Sequence, residues 1–262
     1  MCESHRTDHI LATLIRLGLD SEQLLRYLSM RAEVPNAMVT QIISLIARKG
    51  GVGKTTLAVN LASEMAAGGA RVHVLDADPQ RSASVWAASG AGFLAGRVTA
   101  VPTTDEKAFQ EAIARLALGN DILVIDTPPG FTEPALLAAG VSDLVLLPSG
   151  ASPLDLAAAR DAIVLCRHLQ KKNPAGRPAI ALVPSRFIPN SGLARELAPS
   201  LQQLGERTFP GVAQRVALAE SAIAGLTIRE FAPNSAAQRE IQLLTAAVRS
   251  YRNEETGSRK KE

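Results

Sequence analysis

From Gln41 onward the chain alternates between short continuous apolar runs and stretches whose apolar residues recur three or four apart. Gln41 to Ala47 is a run of strand length. Thr55 to Ala67 follows with Leu57, Leu61 and Met65 at helical spacing, and Gly68-Gly69 ends it. Val72 to Leu75 is a second strand closing on Asp76, and 121–126, 143–148 and 179–183 make a set of five. Helical patterns at 107–118, 155–169, 191–204, 217–224 and 235–250 fill the gaps. Strands apolar throughout and separated by helices predict an α/β fold: a single doubly wound, mostly parallel sheet with helices on both faces.

The two ends read differently. Residues 1–38 hold two short helical patterns, 9–17 and 21–28, around Gly18, before Val34-Pro35-Asn36 breaks them. This extension is too small for a core of its own and reads as an accessory arm or a disordered segment. The main domain is expected over 39–250, with 251–262 as a disordered, charged tail.

Composition narrows the class. Apolar residues make up 47% of the 262, enough to cover a sheet on both faces, while aromatics at 3% argue against stacking platforms for single-stranded nucleic acid. The net charge of +3 is unevenly placed: residues 1–150 carry 12 basic against 15 acidic side chains, residues 151–262 carry 16 against 10. A basic second half points to a polyanion or to an ordinary solvated surface. Cys2 and Cys166 are far apart and form no metal-ligand spacing, which fits a reducing cytoplasm. Neither a signal pattern nor a membrane-length apolar run is present.

Between the first strand and first helix lies Arg48-Lys49-Gly50-Gly51-Val52-Gly53-Lys54-Thr55-Thr56. That is where a parallel sheet places an anion site. Gly50, Gly51, Val52 and Gly53 can turn backbone N–H groups toward phosphate oxygens. Lys54 can supply a charge to the β- and γ-phosphates, Thr55 a hydroxyl ligand to Mg²⁺, and Thr56 a contact to the α-phosphate. The usual Walker A spacing places glycine where this chain has Arg48, and a second lysine, Lys49, follows it.

Lys49 to Thr56 resembles the deviant Walker A motif of the ParA/MinD ATPases. Asp76-Ala77-Asp78-Pro79-Gln80 resembles their Walker A-prime block, and Asp126-Thr127-Pro128-Pro129 their Walker B. Trp86, Ser142 to Val145, Ser152 to Asp155, Gln214-Arg215 and Glu240-Ile241 are similar to the small ParF-like partition ATPases. The resemblance spans roughly 41–250 and implies a P-loop NTPase fold with ATP and Mg²⁺ as ligands. It also implies slow, partner-stimulated hydrolysis within an ATP-sandwich homodimer, in which Lys49 reaches the partner's phosphates. Asp78 then orients the attacking water and Asp126 holds Mg²⁺ through its water shell, while Asp76 reads as a strand-end cap. Ser185 and Arg186, after the fifth strand, fall where the family lines the adenine. For Arg186 and Arg215 the choice stays open between adenine stacking, DNA phosphate and plain surface.

DNA segregation leads among the functions. ATP dimers bind nucleoid DNA non-specifically and a ParB-like centromere-binding partner triggers release, with Arg195, Arg215, Arg229, Arg239, Arg249 and Arg252 as candidate DNA contacts. One alternative positions a protein cargo such as a carboxysome on the nucleoid through a cargo adaptor, and another is a transcriptional regulator. A membrane switch is not expected, because Asn253 to Glu262 offers no bulky apolar residue. His73, Cys166 and Trp86 read as packing residues.

Overall fold

The computed structural model describes residues 40–90, 92–101, 105–173 and 175–259, and for 252–259 the backbone alone. Its strands are β1 (Gln41–Leu45), β2 (Val72–Asp76), β3 (Val98–Ala100), β4 (Ile122–Asp126), β5 (Leu144–Ser149), β6 (Ala179–Pro184) and β7 (Arg207–Thr208). They form one sheet in the order β3-β2-β4-β1-β5-β6-β7, every pairing parallel. The five expected strands occupy the centre. The two unexpected ones, β3 and β7, are edge strands of three and two residues, too short to leave an apolar run.

The helices are α1 (Lys54–Ala67), α2 (Ser82–Ala88), α3 (Glu106–Ala117), α4 (Glu133–Val141), α5 (Pro153–Lys172), α6 (Gly192–Gln202), α7 (Val216–Ile223), α8 (Ile228–Phe231) and α9 (Ala236–Arg259). Helix α4 escapes a periodicity reading because all its residues from Pro134 to Val141 are buried, leaving no polar face. Helix α9 corrects the expectation of a disordered tail from 251, since it continues to Arg259. Ile241, Leu244 and Val248 bury its first turns, and residues 252–256 hold neither Gly nor Pro, so propagation costs little once the nucleus is packed. The expected N-terminal helices, 9–17 and 21–28, lie outside the described residues.

Successive strand residues point to opposite faces, which gives two cores. Ile42, Leu123, Ile125, Val145 and Leu182 pack under α3, α4, α5 and α6. Ile43, Leu45, Val124, Leu146 and Val183 pack under α1, α2, α7, α8 and α9. Trp86 belongs to the second core, 6% exposed, with its indole N–H donating to the Leu226 carbonyl at 3.0 Å. Cys166 is fully buried in the first, and burial pushes its thiol up to about 12, as a packing residue requires. His73 bonds Thr99 through Nε2 at 2.8 Å.

Register decides where the chemistry gathers. Leu45 lies opposite Asp126, and Asp126 opposite Asp76, so β1, β4 and β2 end at one level. β1 is flanked by β4 on one side and β5 on the other, so its C-terminal loop opens at the point where strand order reverses, the usual binding crevice of such sheets.

Candidate nucleotide site

The loop from Arg48 to Gly53 leaves β1 and enters α1. Gly51 (φ 73°) and Gly53 (φ 95°) take left-handed backbone, which costs a glycine little and other residues about 1 kcal/mol or more. Gly53 is the N-cap of α1, and no side chain caps that end, so the helix presents its free N–H groups to the loop. Lys54, the first helical residue, is 7% exposed. Burial lowers its pKa, while the charges of Asp126 and Asp78 raise it.

Asp126, at the end of β4, is 0% exposed, and neither carboxylate oxygen has a hydrogen-bond partner. Burial pushes its pKa up to about 7. The nearby Thr55 hydroxyl and Lys54 pull it down, and Asp76 and Asp78 push it further up. A buried, donor-less carboxylate beside a threonine hydroxyl suits a hydrated divalent cation, so the residues present fit Mg²⁺. No group of three or more His, Cys, Asp or Glu that could hold a metal ion by themselves occurs among the described residues.

The two remaining aspartates separate cleanly. Asp76 accepts from the Ser84 amide at 2.8 Å, its hydroxyl at 2.7 Å and the Asp78 amide at 3.2 Å. It ties the end of β2 to α2, a cap. Asp78 is half-buried, its carboxylate accepts from the Gln80 amide at 2.9 Å, and it lines a cleft of about 700 Å³ with Gly51, Lys54, Thr55 and Pro129.

Lys49 does not point into this site. Its ammonium bonds Asp155 Oδ1 at 2.6 Å. Asp155 is held by the N-cap of α5, where Ser152 and Asp155 form a reciprocal capping box. Burial pushes the Asp155 carboxyl up, but bonds from Lys49 and Ser152 together hold it below the usual value. Arg48 likewise pairs with Asp161 on the same helix. The spacing Ser152-x-x-Asp155 is a capping signal that the reading of the sequence did not use; the second task of Asp155, holding Lys49, is tertiary and left no sequence signal.

On the other side of the loop a cleft of about 600 Å³ is lined by Thr56, Ser185, Arg186, Ile188, Gln214 and Val216. Ser185 and Arg186 line this cleft, and their side chains also reach the loop. Ser185 Oγ donates to the Val52 carbonyl at 2.7 Å and the Arg186 guanidinium to the Gly51 carbonyl. Arg215 lines the same cleft, tied to Glu240 at 2.5 Å.

The candidate DNA contacts are divided rather than gathered. Arg229 pairs with Glu64 at 3.1 Å, and Arg249 donates to the carbonyls of Glu64 (3.1 Å) and Met65 (2.9 Å), closing the C-terminal end of α1. Arg239 bonds the Asn234 carbonyl, Arg195 is exposed on α6, and the side chain of Arg252 lies outside the described residues.

A model of the CobQ/CobB/MinD/ParA nucleotide binding domain matches residues 43–228, which hold every loop and aspartate above. The chain belongs to this family. As a ParA/MinD-type ATPase domain it is 33% identical over 208 residues to a maintenance of carboxysome distribution protein A from Gloeobacter kilaueensis. That match covers 79% of this chain and 92% of the relative. It is 29% identical to the chromosome-partitioning ATPase Soj of Thermus thermophilus, over 74% of this chain and 89% of that one. Among solved structures, an ATP complex of a Cyanothece McdA variant superposes with a TM-score of 0.64 at 16% identity, covering 82% of this chain and 96% of the other. MinD from Aquifex aeolicus superposes with a TM-score of 0.65 at 18% identity, covering 80% and 98%. At such identities the likeness shows the fold. No helix among the described residues is long and apolar enough to cross a membrane.

Proposed function

We propose that this chain is an ATP-gated, dimerising positioner that binds duplex DNA in its ATP state and is released when a partner protein stimulates hydrolysis. The observation that carries this reading is the division between two lysines. Lys54 sits buried at the mouth of its own loop, whereas Lys49 leaves that loop and rests on Asp155. A cation with no task in its own site is available to a second one. In a face-to-face dimer Lys49 leaves Asp155 and meets the phosphates bound by the partner, where a charge supplied in trans stabilises the transition state by about 10³–10⁵-fold in other phosphate-loop enzymes.

Within each site the N–H groups of Gly50 to Lys54 cradle the phosphates and the Lys54 ammonium neutralises them. Thr56 meets the α-phosphate and the base enters the Ile188–Val216 cleft, beside Ser185 and Arg186. Asp78 accepts a proton of the attacking water and aims its oxygen at the γ-phosphorus. Thr55 and Asp126 would hold Mg²⁺, which would supply positive charge to offset that of the phosphates. The basic second half, with Arg195 and the half-exposed Arg229 and Arg249, provides the DNA face. Dimerisation doubles that face, so DNA affinity follows the nucleotide.

The load moved is a protein body or a partition complex. The carboxysome-distribution relative from Gloeobacter, matched over 92% of its length, favours the protein body, with an adaptor in place of a ParB-like partner. Binding of unrelated duplexes to the protein with a non-hydrolysable ATP analogue, titrated with salt, tests the reading. Similar affinities that fall steeply with salt, and far weaker binding with ADP, are expected. Strong preference for one sequence, or binding indifferent to nucleotide, would contradict it.

A further inference from the structure

From two hydrogen bonds that cross the sheet, we infer that Ser185 and Arg186 are positioning residues which set the phosphate loop's peptide planes. This inference rests on the reading of the loop as a triphosphate site. A trans peptide is planar, so its carbonyl and its N–H point in opposite directions. The Gly51 carbonyl shares its plane with the Val52 N–H, and the Val52 carbonyl shares its plane with the Gly53 N–H. Arg186 bonds the first carbonyl and Ser185 the second, the latter at 2.7 Å. Pinning both carbonyls toward the end of β6 turns both N–H groups the other way, into the loop's concave side.

The clamp is built, not incidental. Ser185 is 2% exposed, and its amide is fixed by the Ser149 carbonyl at 2.8 Å. Arg186 holds a left-handed backbone (φ 53°), unfavourable for a non-glycine residue, and its amide is anchored to the Val212 carbonyl at 2.9 Å. The surroundings over-determine that conformation, and it delivers the guanidinium to the loop. The approach is close: a Cβ on Gly53 would lie 3.2 Å from Ser185 Oγ and 3.7 Å from Arg186 Cγ. Glycine at 53 thus serves the left-handed turn and the clearance of the clamp alike. Both side chains also line the base cleft, so filling that cleft and ordering the phosphate cradle fall on the same two residues. Their role is distinct from stacking on adenine, and it predicts a different dependence on the ligand.

The test compares Mg·ATP with Mg·tripolyphosphate, which has the phosphates and no base, each displacing a fluorescent ATP analogue from the full chain. Ser185→Ala removes one hydrogen bond and no charge. It should weaken ATP and tripolyphosphate by the same factor, roughly three- to tenfold. Arg186→Ala should weaken both as well, and Arg186→Lys, which keeps a donor, should recover part of the loss. Melting temperatures of the nucleotide-free variants are measured alongside, so that a folding defect is not read as lost cradle geometry. Loss of ATP affinity with tripolyphosphate affinity unchanged would make the pair base contacts and overturn the inference. So would unchanged affinity for both ligands. If Arg186→Ala acts and Ser185→Ala does not, Arg186 is a direct phosphate cation, and the clamp is likewise overturned. Should the wild-type chain bind neither ligand, or bind them undiminished after Lys54→Ala, the nucleotide reading itself fails, an outcome separate from the others.

Discussion

Asp126 is a carboxylate folded into the molecule with no hydrogen bond of normal geometry, and the nearby Thr55 hydroxyl offsets its burial only in part. Its folded pKa, about 7, stands above the ordinary 3.8. The contribution of this one carboxyl to stability is therefore least unfavourable below about pH 4, where the acid is neutral folded or unfolded, and grows more unfavourable as pH rises toward 7. Asp126→Asn keeps the shape and removes the charge. Without nucleotide, this variant should be more stable than wild type at pH 8 by roughly 2–4 kcal/mol, and close to it at pH 4. Urea melts at the two pH values measure both, and equal stability at pH 8 would mean the charge is not buried at a cost. The residue-scale account extends to Asp155. Asp155→Asn can still cap α5 but loses most of its hold on Lys49. A half-exposed pair of this kind contributes at most about 1 kcal/mol and each dimer frees two, so ATP-dependent dimerisation should tighten by up to about 30-fold. Sedimentation at graded concentrations reads that directly, and a weaker dimer would show that Asp155 helps Lys49 rather than restrains it.

At the scale of elements, the chain is tied into the sheet from Thr40 onward. Thr40 Oγ1 donates to the carbonyls of Ala117 and Asn120, both at 2.8 Å, and the Gln41 amide to Asp121 at 3.0 Å. A chain shortened to begin at Met38 should therefore fold and keep its ATP affinity within about twofold, by thermal melting and nucleotide titration. Loss of folding would place residues 1–37 in the core. The central strands and the long amphipathic helices were legible because continuous burial or a single buried face leaves a periodic trace. What escaped did so for physical reasons. Val98–Ala100 and Arg207–Thr208 are strands by pairing alone, and Glu133–Val141 is a helix buried all round. The end of α9 was hidden by its composition, which reads as solvated tail although packing upstream carries the helix through it.

For the whole molecule, the site was legible where one segment carries the chemistry and silent where two segments meet. Glycine and lysine spacing in residues 49–56 pointed to the candidate phosphate loop, Asp76 and Asp126 were legible as strand-end residues, and Asp78 came from the family resemblance. That Asp76 is a cap and Asp78 faces the cleft follows from register and from Ser84, which no local pattern reveals. Nor does any local pattern show Lys49 on Asp155, Ser185 on Val52, or Arg249 closing α1.

The central claim is that Lys49 serves the partner's nucleotide while Asp78 serves its own chain's, and mixing two inactive variants tests it most directly. Lys49→Ala and Asp78→Ala should each abolish ATP turnover, because every homodimer then lacks one group at both sites. In a mixed dimer the nucleotide on the Lys49→Ala chain keeps its own Asp78 and receives an intact Lys49, while the other site lacks both. Free exchange makes half the dimers mixed, and half their sites work, so roughly a quarter of wild-type turnover should return. If mixed dimers are confirmed by crosslinking and no turnover returns, Lys49 acts within its own subunit and the account is contradicted.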